Sequence, residues 1–432
     1  MALNVSYTGT MTVLAQELRI DGLRLLARLD ELGRVGAIRG ANGEPGSARL
    51  ALTDEDRDGR DLVVTWMRDL GLVMTVDAIG NVVAVRPAGD GSTANPVMTG
   101  SHIDTVRTGG RFDGNLGVLA GLQVIETVEA AAVATKRPLA VAFFTNEEGA
   151  RFSPDMMGSL VYVGAMTAEE AYDVVGIDGA RVGDELVRIG YQGPTPCPGP
   201  SPFAFVELHI EQGPLLEAEG IRIGAVTGVQ GISWQELTVT GQSNHAGTTP
   251  MNLRHDAGYA AARIATFVRE LAIEFGPPQV ATVGLLSLHP NLVNVVAGSA
   301  TLTVDLRNTD EVRLEESEGR LAEFVATLAH HEGVSITTRT LARFEPVAFD
   351  ERVIGLVERT ASSLGNAVRR MPSGAGHDAQ MLARVCPTAM IFTQSRNGIS
   401  HNPAEYTEPE DLIMGADILL QVMLELSEGD TW

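Results

Sequence analysis

Apolar segments alternate with amphipathic ones along much of this sequence, and few folds accommodate such a pattern. Between the apolar segments, apolar residues recur at helical spacing, as in residues 117–131. Strands that alternate with helices predict an α/β fold, with a mixed sheet covered by helices on both faces. The predicted buried strands are residues 96–101, 139–144, 205–209 and 388–393.

Further segments fit this arrangement. Residues 73–85 predict a β-hairpin with Gly80 in its turn. The glycine- and proline-rich residues 192–202 predict a loop without chemistry of its own. Apolar residues at helical spacing predict three more helices, over residues 11–33, 54–71 and 408–426.

The middle of the chain has a different order of elements. It predicts β-α-β-β-α-β, the ferredoxin-like order, which forms a self-contained α+β unit. We therefore expect a domain inserted at residues 228–343, while residues 1–227 and 344–432 form a discontinuous domain. The six predicted elements are residues 232–239, 256–275, 281–288, 300–307, 311–331 and 334–340.

Composition excludes several classes of function. The net charge of -23 repels nucleic acid and anionic membranes, so we expect neither as a partner. Two cysteines are too few for a disulfide framework, and the chain start lacks the features of a signal peptide, so we expect a cytoplasmic protein. Lys136, the only lysine, stands in a turn-like Thr-Lys-Arg-Pro, which disfavours Schiff-base chemistry and a carbamylated-lysine metal bridge.

The first candidate site is Gly-Ser-His-Ile-Asp at the end of a predicted strand, followed by a glycine-rich loop. Ligands of open α/β sheets bind beyond the carboxyl ends of strands. His102 ends the strand, and Asp104 is expected to hold its second ring nitrogen with a carboxylate oxygen. Asp113 lies in the loop. A polar turn without function explains this cluster equally well on its own.

Three more clusters contain ligand-type residues. Glu147 and Glu148 follow a buried strand, where one carboxylate can bind a metal ion while the other faces water, although a solvated acidic loop is the commoner explanation for such a pair. His209 ends another strand, and His401 lies in a glycine-bounded loop after a third. A lone histidine is more often structural, so the prediction depends on the recurrence of histidine at strand ends.

Together, these residues form a set of nitrogen and oxygen ligands without sulfur, which suits zinc, manganese, cobalt or nickel. Five ligands exceed what one catalytic zinc ion takes, because such an ion keeps a position open. A shared carboxylate would let them hold two ions about 3.5–4 Å apart. The five are His102, Asp113, Glu148, His209 and His401.

These motifs resemble, in order and over nearly the whole chain, the amidohydrolases related to M20 metallopeptidases. The similarity is to the group of N-carbamoyl-L-amino acid hydrolase, the bacterial and yeast type of β-ureidopropionase, and allantoate amidohydrolase. Its most specific segments are residues 100–104, 109–114, 146–152, 208–214, 244–250, 373–378 and 398–403.

The resemblance implies roles for the metal site. Asp113 bridges two ions, with His102 and His209 completing one site and Glu148 and His401 the other. Glu147 is the general base. The resemblance also implies a homodimer, with the inserted domain as lid and dimer interface.

The resemblance further implies a set of substrate contacts. His245, supplied by a partner subunit, polarises the scissile carbonyl, and Asn294 and Arg307 bind the substrate carboxylate. Further pocket positions are Gln212, Gly376 and His377. On residue patterns alone, His245 is a residue of a polar turn and Arg307 a solvent-facing strand residue.

The expected activity is hydrolysis of the ureido bond of an N-carbamoyl-L-amino acid or β-ureidopropionate, releasing amino acid, ammonia and carbon dioxide. Allantoate amidohydrolase is the alternative. A peptidase or aminoacylase comes next, followed by a ligand-binding homologue without catalysis, which would lack a ligand or the base.

Overall fold

The structure is a computed structural model that describes residues 17–429. Its contacts divide the chain into two compact units, one built from residues up to Thr227 and from Phe349 onward, the other from Gly228–Ala348. The smaller unit therefore ends five residues beyond the expected position 343. Its last long strand continues to Phe344, and the short strand Val347–Ala348 then pairs with Val229 and Gly228.

The larger unit contains a mixed sheet. Strands are numbered along the whole chain. Those of this unit are β1 (Ala37–Arg39), β2 (Pro45–Ser47), β3 (Val73–Val76), β4 (Val82–Arg86), β5 (Val97–His102), β6 (Leu139–Phe144), β7 (Ala204–Ile210), β8 (Ile223–Val229), β17 (Val368–Ser373) and β18 (Thr388–Thr393).

The strand order is β8-β18-β7-β5-β6-β4-β3, with β17 also beside β8. The central neighbours β18, β7, β5 and β6 run parallel, and β4 and β8 pair antiparallel at either side. This confirms the predicted mixed sheet. The predicted hairpin is also confirmed, since β3 and β4 pair antiparallel.

Helices cover this sheet. The helix Asn115–Ala130 is buried along most of its length between the sheet and the C-terminal helix. Described helices of this unit are α1 (Gly22–Leu32), α2 (Asp54–Asp69), α3 (Asn115–Ala130), α4 (Met157–Tyr162), α5 (Ala168–Tyr172), α6 (Val182–Ile189), α7 (Leu215–Glu219), α10 (Glu351–Ser363), α11 (Asp378–Leu382) and α12 (Pro409–Ser427). None of the helices in residues 17–429 is long and apolar enough to cross a membrane.

The first predicted helix is longer than the observed one. The helix α1 begins at Gly22, because the Asp21 side chain accepts a hydrogen bond from the Arg24 amide and caps it. Residues 18–21 are not helical, and the predicted part from 11 to 16 lies outside the described residues.

The long elements of the smaller unit follow the order β-α-β-β-α-β, with short strands in addition. The elements are β9 (Gly231–Thr240), β10 (Asn244–His245), α8 (Ala257–Phe275), β11 (Val280–Thr282), β12 (Leu286–His289), β13 (Val295–Val296), β14 (Ser299–Asn308), α9 (Glu311–Glu332), β15 (Ser335–Phe344) and β16 (Val347–Ala348). The strands β11, β14, β9 and β15 are neighbours in that order, all antiparallel, and β12 also pairs with β14. Two helices pack on the sheet through a core that includes Leu237, Ile264 and Leu302.

One predicted strand of this unit is interrupted. Residues 281–288 form two strands, β11 and β12, with a break at Val283, Gly284 and Leu285. At the break, the Leu285 amide donates to the Thr303 hydroxyl, and the Thr303 amide donates to the Leu285 carbonyl. The Thr303 hydroxyl thus takes the place of a backbone carbonyl as the acceptor of the Leu285 amide.

A fully buried ion pair ties α2 to the sheet of the larger unit. The Arg60 Nε donates to Asp56 at 2.8 Å, and both side chains are 0% exposed. The guanidinium also donates to the Gly80 carbonyl and to the Thr145 hydroxyl, just before the acidic pair. The hairpin turn and the end of β6 are thereby joined.

Replacing Asp56 with Asn should lower the free energy of unfolding by about 3–5 kcal/mol, because Arg60 keeps a buried charge without a counter-charge. Urea unfolding measures the loss. The control is Glu351→Gln, at an ion pair with Arg370 in which the Glu351 side chain is 70% exposed. That change should cost less than about 1 kcal/mol. Equal losses would contradict this role for the buried pair.

Candidate metal centre and active site

The candidate ligands lie together beyond the carboxyl ends of the central strands. The parallel strands β5 and β7 carry His102 and His209 at or next to their carboxyl ends. Between β6 and α4, the chain carries Glu147 and Glu148 at the same edge. Asp113 stands two residues before α3. The crevice beyond parallel strand ends is where α/β sheets bind ligands.

The two buried histidines are fixed by backbone carbonyls. The Nδ1 atom of His102 lies 2.9 Å from the Asp104 carbonyl, and that of His209 lies 2.9 Å from the Ile210 carbonyl. A carbonyl only accepts, so each Nδ1 carries a hydrogen. Against the effect of burial, the neighbouring acids raise the pKa of both rings, and a protonated ring donates from Nε2 to Asp113. When that proton leaves, the ring keeps its hydrogen on Nδ1 and has its lone pair on Nε2. This is the tautomer that a metal-binding imidazole needs.

The expected role of the Asp104 carboxylate is wrong. It does not hold His102, because β5 ends at His102, Asp104 lies beyond the strand, and its backbone carbonyl is the group that meets the ring. The carboxylate instead accepts the amides of Glu147 and Glu148, each at 3.3 Å. Asp104 therefore fixes the loop that carries the acidic pair.

One carboxylate is shared by three imidazoles. Oδ1 of Asp113 lies 3.2 Å from Nε2 of His209 and 3.6 Å from Nε2 of His102. Oδ2 lies 3.3 Å from Nε2 of His401. The Glu148 Oε2 atom lies 3.3 Å from the same His401 nitrogen. One oxygen of Asp113 thus faces His102 and His209, and the other faces His401.

Among residues 17–429, potential ligand atoms lie within 4.8 Å of one another in three groups. Two of these share Asp113 and coincide with the pair of ligand sets that the resemblance implies. The third is built around Glu207 and shares only His209 with them. The groups are His102, Asp113 and His209; Asp113, Glu148 and His401; and Glu207, His209 and His377.

These residues fit divalent cations. Each of the first two groups combines imidazole nitrogen with carboxylate oxygen, and the two buried rings direct Nε2 toward the shared carboxylate. Gly114, at φ +64°, leaves room for the His102 ring, since a Cβ there would meet its Cε1 at 2.4 Å. The Gly114 amide points at the His209 Nε2 atom at 3.2 Å. Glycine is thus required beside the candidate ligands.

The acids of this cluster repel one another when no cation is bound. Burial raises the pKa of Glu148 to about 8, and Asp113 and Asp104 add to the effect, while His102 and His401 oppose it. Burial also raises the pKa of Glu147 well above its usual value, and neighbouring carboxylates contribute. A bound cation would relieve this repulsion, so the electrostatics agree with the donor set.

Asp113 behaves differently. Burial works to raise its pKa, but hydrogen bonds from the three histidines overcome this and hold the pKa well below the usual range. It therefore stays ionised, as a shared metal ligand must.

A cavity of about 100 Å³ opens beside the ligands. Its walls include Glu147, Gln212, Gly376, His377 and Asp155, the last of which sequence reasoning did not single out. The carboxylate of Glu147 reaches to 3.3 Å from the His102 Nε2 atom. The acid proposed as base therefore faces both the cavity and a candidate ligand.

Two of the expected pocket residues have partners within the site. Gln212 donates from Nε2 to Asp113 at 2.8 Å, so it holds the shared carboxylate. His377 is buried, its Nε2 lies 2.9 Å from the Ser373 hydroxyl, and its ring packs edge-on against His209 at 4.5 Å. Burial lowers the pKa of His377 well below its usual value, which keeps the ring neutral.

The site also contains strained backbone. Asn146, Gln212 and His401 have φ angles of 57°, 57° and 53°, in the left-handed region that residues with a Cβ rarely adopt. Such conformations persist only where surrounding contacts enforce them, and they cluster at functional sites.

The remaining predicted residues belong to the smaller unit. His245 is exposed, and its Nδ1 accepts the Gly247 amide at 3.1 Å. Asn294 is exposed, and its carbonyl accepts the Ala246 amide. Arg307 forms an ion pair with Asp305 at 2.9 Å. Within this unit, the His245 and Asn294 segments are therefore neighbours.

Sequence reasoning missed a buried arginine beneath the site. Arg49 is 0% exposed and donates to the Ile103 carbonyl at 2.7 Å and to Asn115 Oδ1 at 2.8 Å. It thereby links the segments that carry His102 and Asp113. An arginine in an irregular segment has no periodic pattern that could reveal this role.

Comparison with known proteins identifies the family. Residues 98–425 match Peptidase family M20/M25/M40. An N-carbamoyl-L-amino-acid amidohydrolase of Rhizobium meliloti is 41% identical over 95% of this chain and 97% of its own. A ureidoglycolate hydrolase of Arabidopsis thaliana is 34% identical over 96% of this chain and 88% of its own.

A solved structure extends the likeness to the fold. The crystal structure of an amidase of the hydantoinase/carbamoylase family from Burkholderia multivorans has a TM-score of 0.92 and 44% identity, covering 95% of this chain and 99% of that one. The resemblance predicted from the motifs is confirmed, and the chain belongs to the M20/M25/M40 peptidase family.

Proposed function

We propose that this protein hydrolyses the ureido bond of N-carbamoyl-L-amino acids at a centre for two divalent cations, releasing amino acid, ammonia and carbon dioxide. The observation that carries the proposal is the shared carboxylate of Asp113, which faces three imidazoles in two ligand groups. The amidohydrolase from Rhizobium meliloti supports the choice of substrate.

One ion would be held by His102, Asp113 and His209, and the other by Asp113, Glu148 and His401. Zinc, manganese, cobalt and nickel all suit such nitrogen and oxygen donors. Divalent ions supply Lewis acidity, toward both a water nucleophile and the ureido carbonyl.

Glu147 acts as the general base in this proposal. Its amide is fixed by Asp104, and its carboxylate faces the cavity. The raised proton affinity of this buried carboxylate suits a group that takes a proton from water and passes it to the leaving nitrogen.

The smaller unit would supply the contacts to the far end of the substrate. The planar fork of Arg307 matches a carboxylate, with Asn294 as a further donor. His245 accepts a hydrogen bond at Nδ1, so its neutral ring carries the hydrogen on Nε2, as a group that polarises a carbonyl requires. Gln212, Gly376 and His377 would complete the pocket.

We further propose that the protein is a homodimer, in which the smaller unit of one subunit serves as lid and supplies His245 to its partner. The edge strand β12 supports this, because Leu286 and Leu288 on it are exposed, as are the nearby Leu292 and Val293. An exposed apolar edge strand is a template for pairing with another chain.

The substrate assay follows ammonia release by the purified protein. We expect turnover of N-carbamoyl-L-methionine, little of its D-isomer and little of an alkylurea, which lacks the carboxylate that Arg307 would bind. A chelator should abolish activity, and zinc, manganese, cobalt or nickel should restore it. Faster hydrolysis of peptides or acyl amino acids, or no hydrolysis at all, would contradict the proposal.

The same assay separates members of the ureido group. The relative from Arabidopsis thaliana is named a ureidoglycolate hydrolase, so ureidoglycolate belongs in the panel, beside allantoate and β-ureidopropionate. The highest kcat/KM assigns the substrate.

Replacing Glu147 with Gln tests the base. The proposal predicts a decrease in kcat of about 10²–10⁴-fold, because proton transfer is lost while the amide bond to Asp104 remains. Bound metal, measured by inductively coupled plasma mass spectrometry, should not change. If activity is unchanged, Glu147 is not the base. If the metal is lost as well, it is a ligand.

The double variant Leu286→Lys/Leu288→Lys tests the dimer, since two charges on β12 should prevent pairing. We expect light scattering to give the mass of a monomer and turnover to fall together with it. The control is Leu341→Lys, an exposed leucine on β15 at the other end of the sheet. A dimer that survives the double variant would place the interface elsewhere.

A further inference from the structure

Glu405 is a buried acid that joins two loops of the candidate metal centre. It is 5% exposed and lies between β18 and α12, far in sequence from the loop that ends at Asp113. Its Oε1 accepts the amides of Phe112 at 3.0 Å and of Asp113 at 3.2 Å. Its Oε2 accepts the Ser400 hydroxyl at 2.8 Å. One carboxylate therefore holds both loops.

The loop before Asp113 leaves space for this carboxylate. A Cβ at Gly110 would lie 2.0 Å from Oε1 of Glu405 and 2.1 Å from its Cδ. A side chain at position 110 would therefore displace Glu405. The Phe112 and Tyr406 rings meet edge-on at 6.3 Å, so an apolar contact also joins the loops and should remain when the carboxylate is removed.

Ser400 connects Glu405 to the ligands themselves. Its hydroxyl lies 3.3 Å from Asp113 Oδ2 as well as 2.8 Å from Glu405. A hydroxyl has one hydrogen, and the shorter contact to Glu405 fixes where the oxygen sits. The next residue is His401, which is held at φ 53° and needs surrounding contacts to stay there.

The two ligand groups depend on Glu405 to different extents. His102 and His209 are anchored by backbone carbonyls, so their group relies on Glu405 only for Asp113. The other group relies on it for both Asp113 and His401. Loss of a residue that hydrogen-bonds to a metal ligand without binding the metal commonly lowers metal affinity or activity by about 10–100-fold.

We propose that Glu405 is a positioning residue that selectively sets the affinity of the ion held by Asp113, Glu148 and His401. This inference rests on the proposed function, because it assumes that two ions bind. It concerns metal affinity alone, so it can be tested without measuring turnover.

The experiment titrates the metal-free protein with zinc against a competing chelator and resolves the two binding steps. In Glu405→Ala, one of the two steps should lose about 10–100-fold in affinity, while the other changes less than threefold. Glu405→Gln keeps an oxygen for the two amides and should recover much of the loss. Gly110→Ala should reproduce the selective effect by displacing the carboxylate.

The matched control is Glu408→Gln, which removes an acid from the same segment, at a surface ion pair with Arg396. It should leave both steps unchanged. Unfolding of each metal-free variant is measured alongside, so that general destabilisation is visible. Two steps that are unchanged or equally weakened in Glu405→Ala would overturn the inference. A wild-type protein that binds two ions but cleaves no ureido compound would instead refute the proposed function alone.

Discussion

The carboxylate of Asp113, shared among three imidazoles, is the interaction on which the site depends. Taken out of water, it would be protonated, but hydrogen bonds from His102, His209 and His401 keep its pKa low. Two ligand groups can then form around one residue at the start of α3. The surrounding contacts serve this arrangement: Gln212 holds one oxygen, and Glu405 holds the backbone amide.

The fold brings these groups together through its parallel strands. The strands β5 and β7 end side by side, and the loop after β6 returns the acidic pair to the same edge. Backbone carbonyls and buried side chains such as Asp104 and Arg49 then fix each segment. These buried polar groups therefore orient the candidate ligands, and a catalytic centre requires accurate orientation.

Apolar runs of a few residues predict the buried strands of the sheet, and the residues at the ends of these runs predict the histidines at strand ends. The bridging role of Asp113 and the division of the ligands into two sites came only from family resemblance. Arg49 and Glu405 were missed because their partners lie far away in sequence and no periodicity marks them. The Asp104 expectation failed where β5 ends, since alternation of side chains applies only while the chain is extended.

An X-ray structure of crystals soaked in manganese, with anomalous scattering measured, tests the central claim most directly. Two peaks are predicted, one among His102, Asp113 and His209 and one among Asp113, Glu148 and His401. A single peak, or a peak in the group of Glu207, His209 and His377, would contradict the shared role of Asp113.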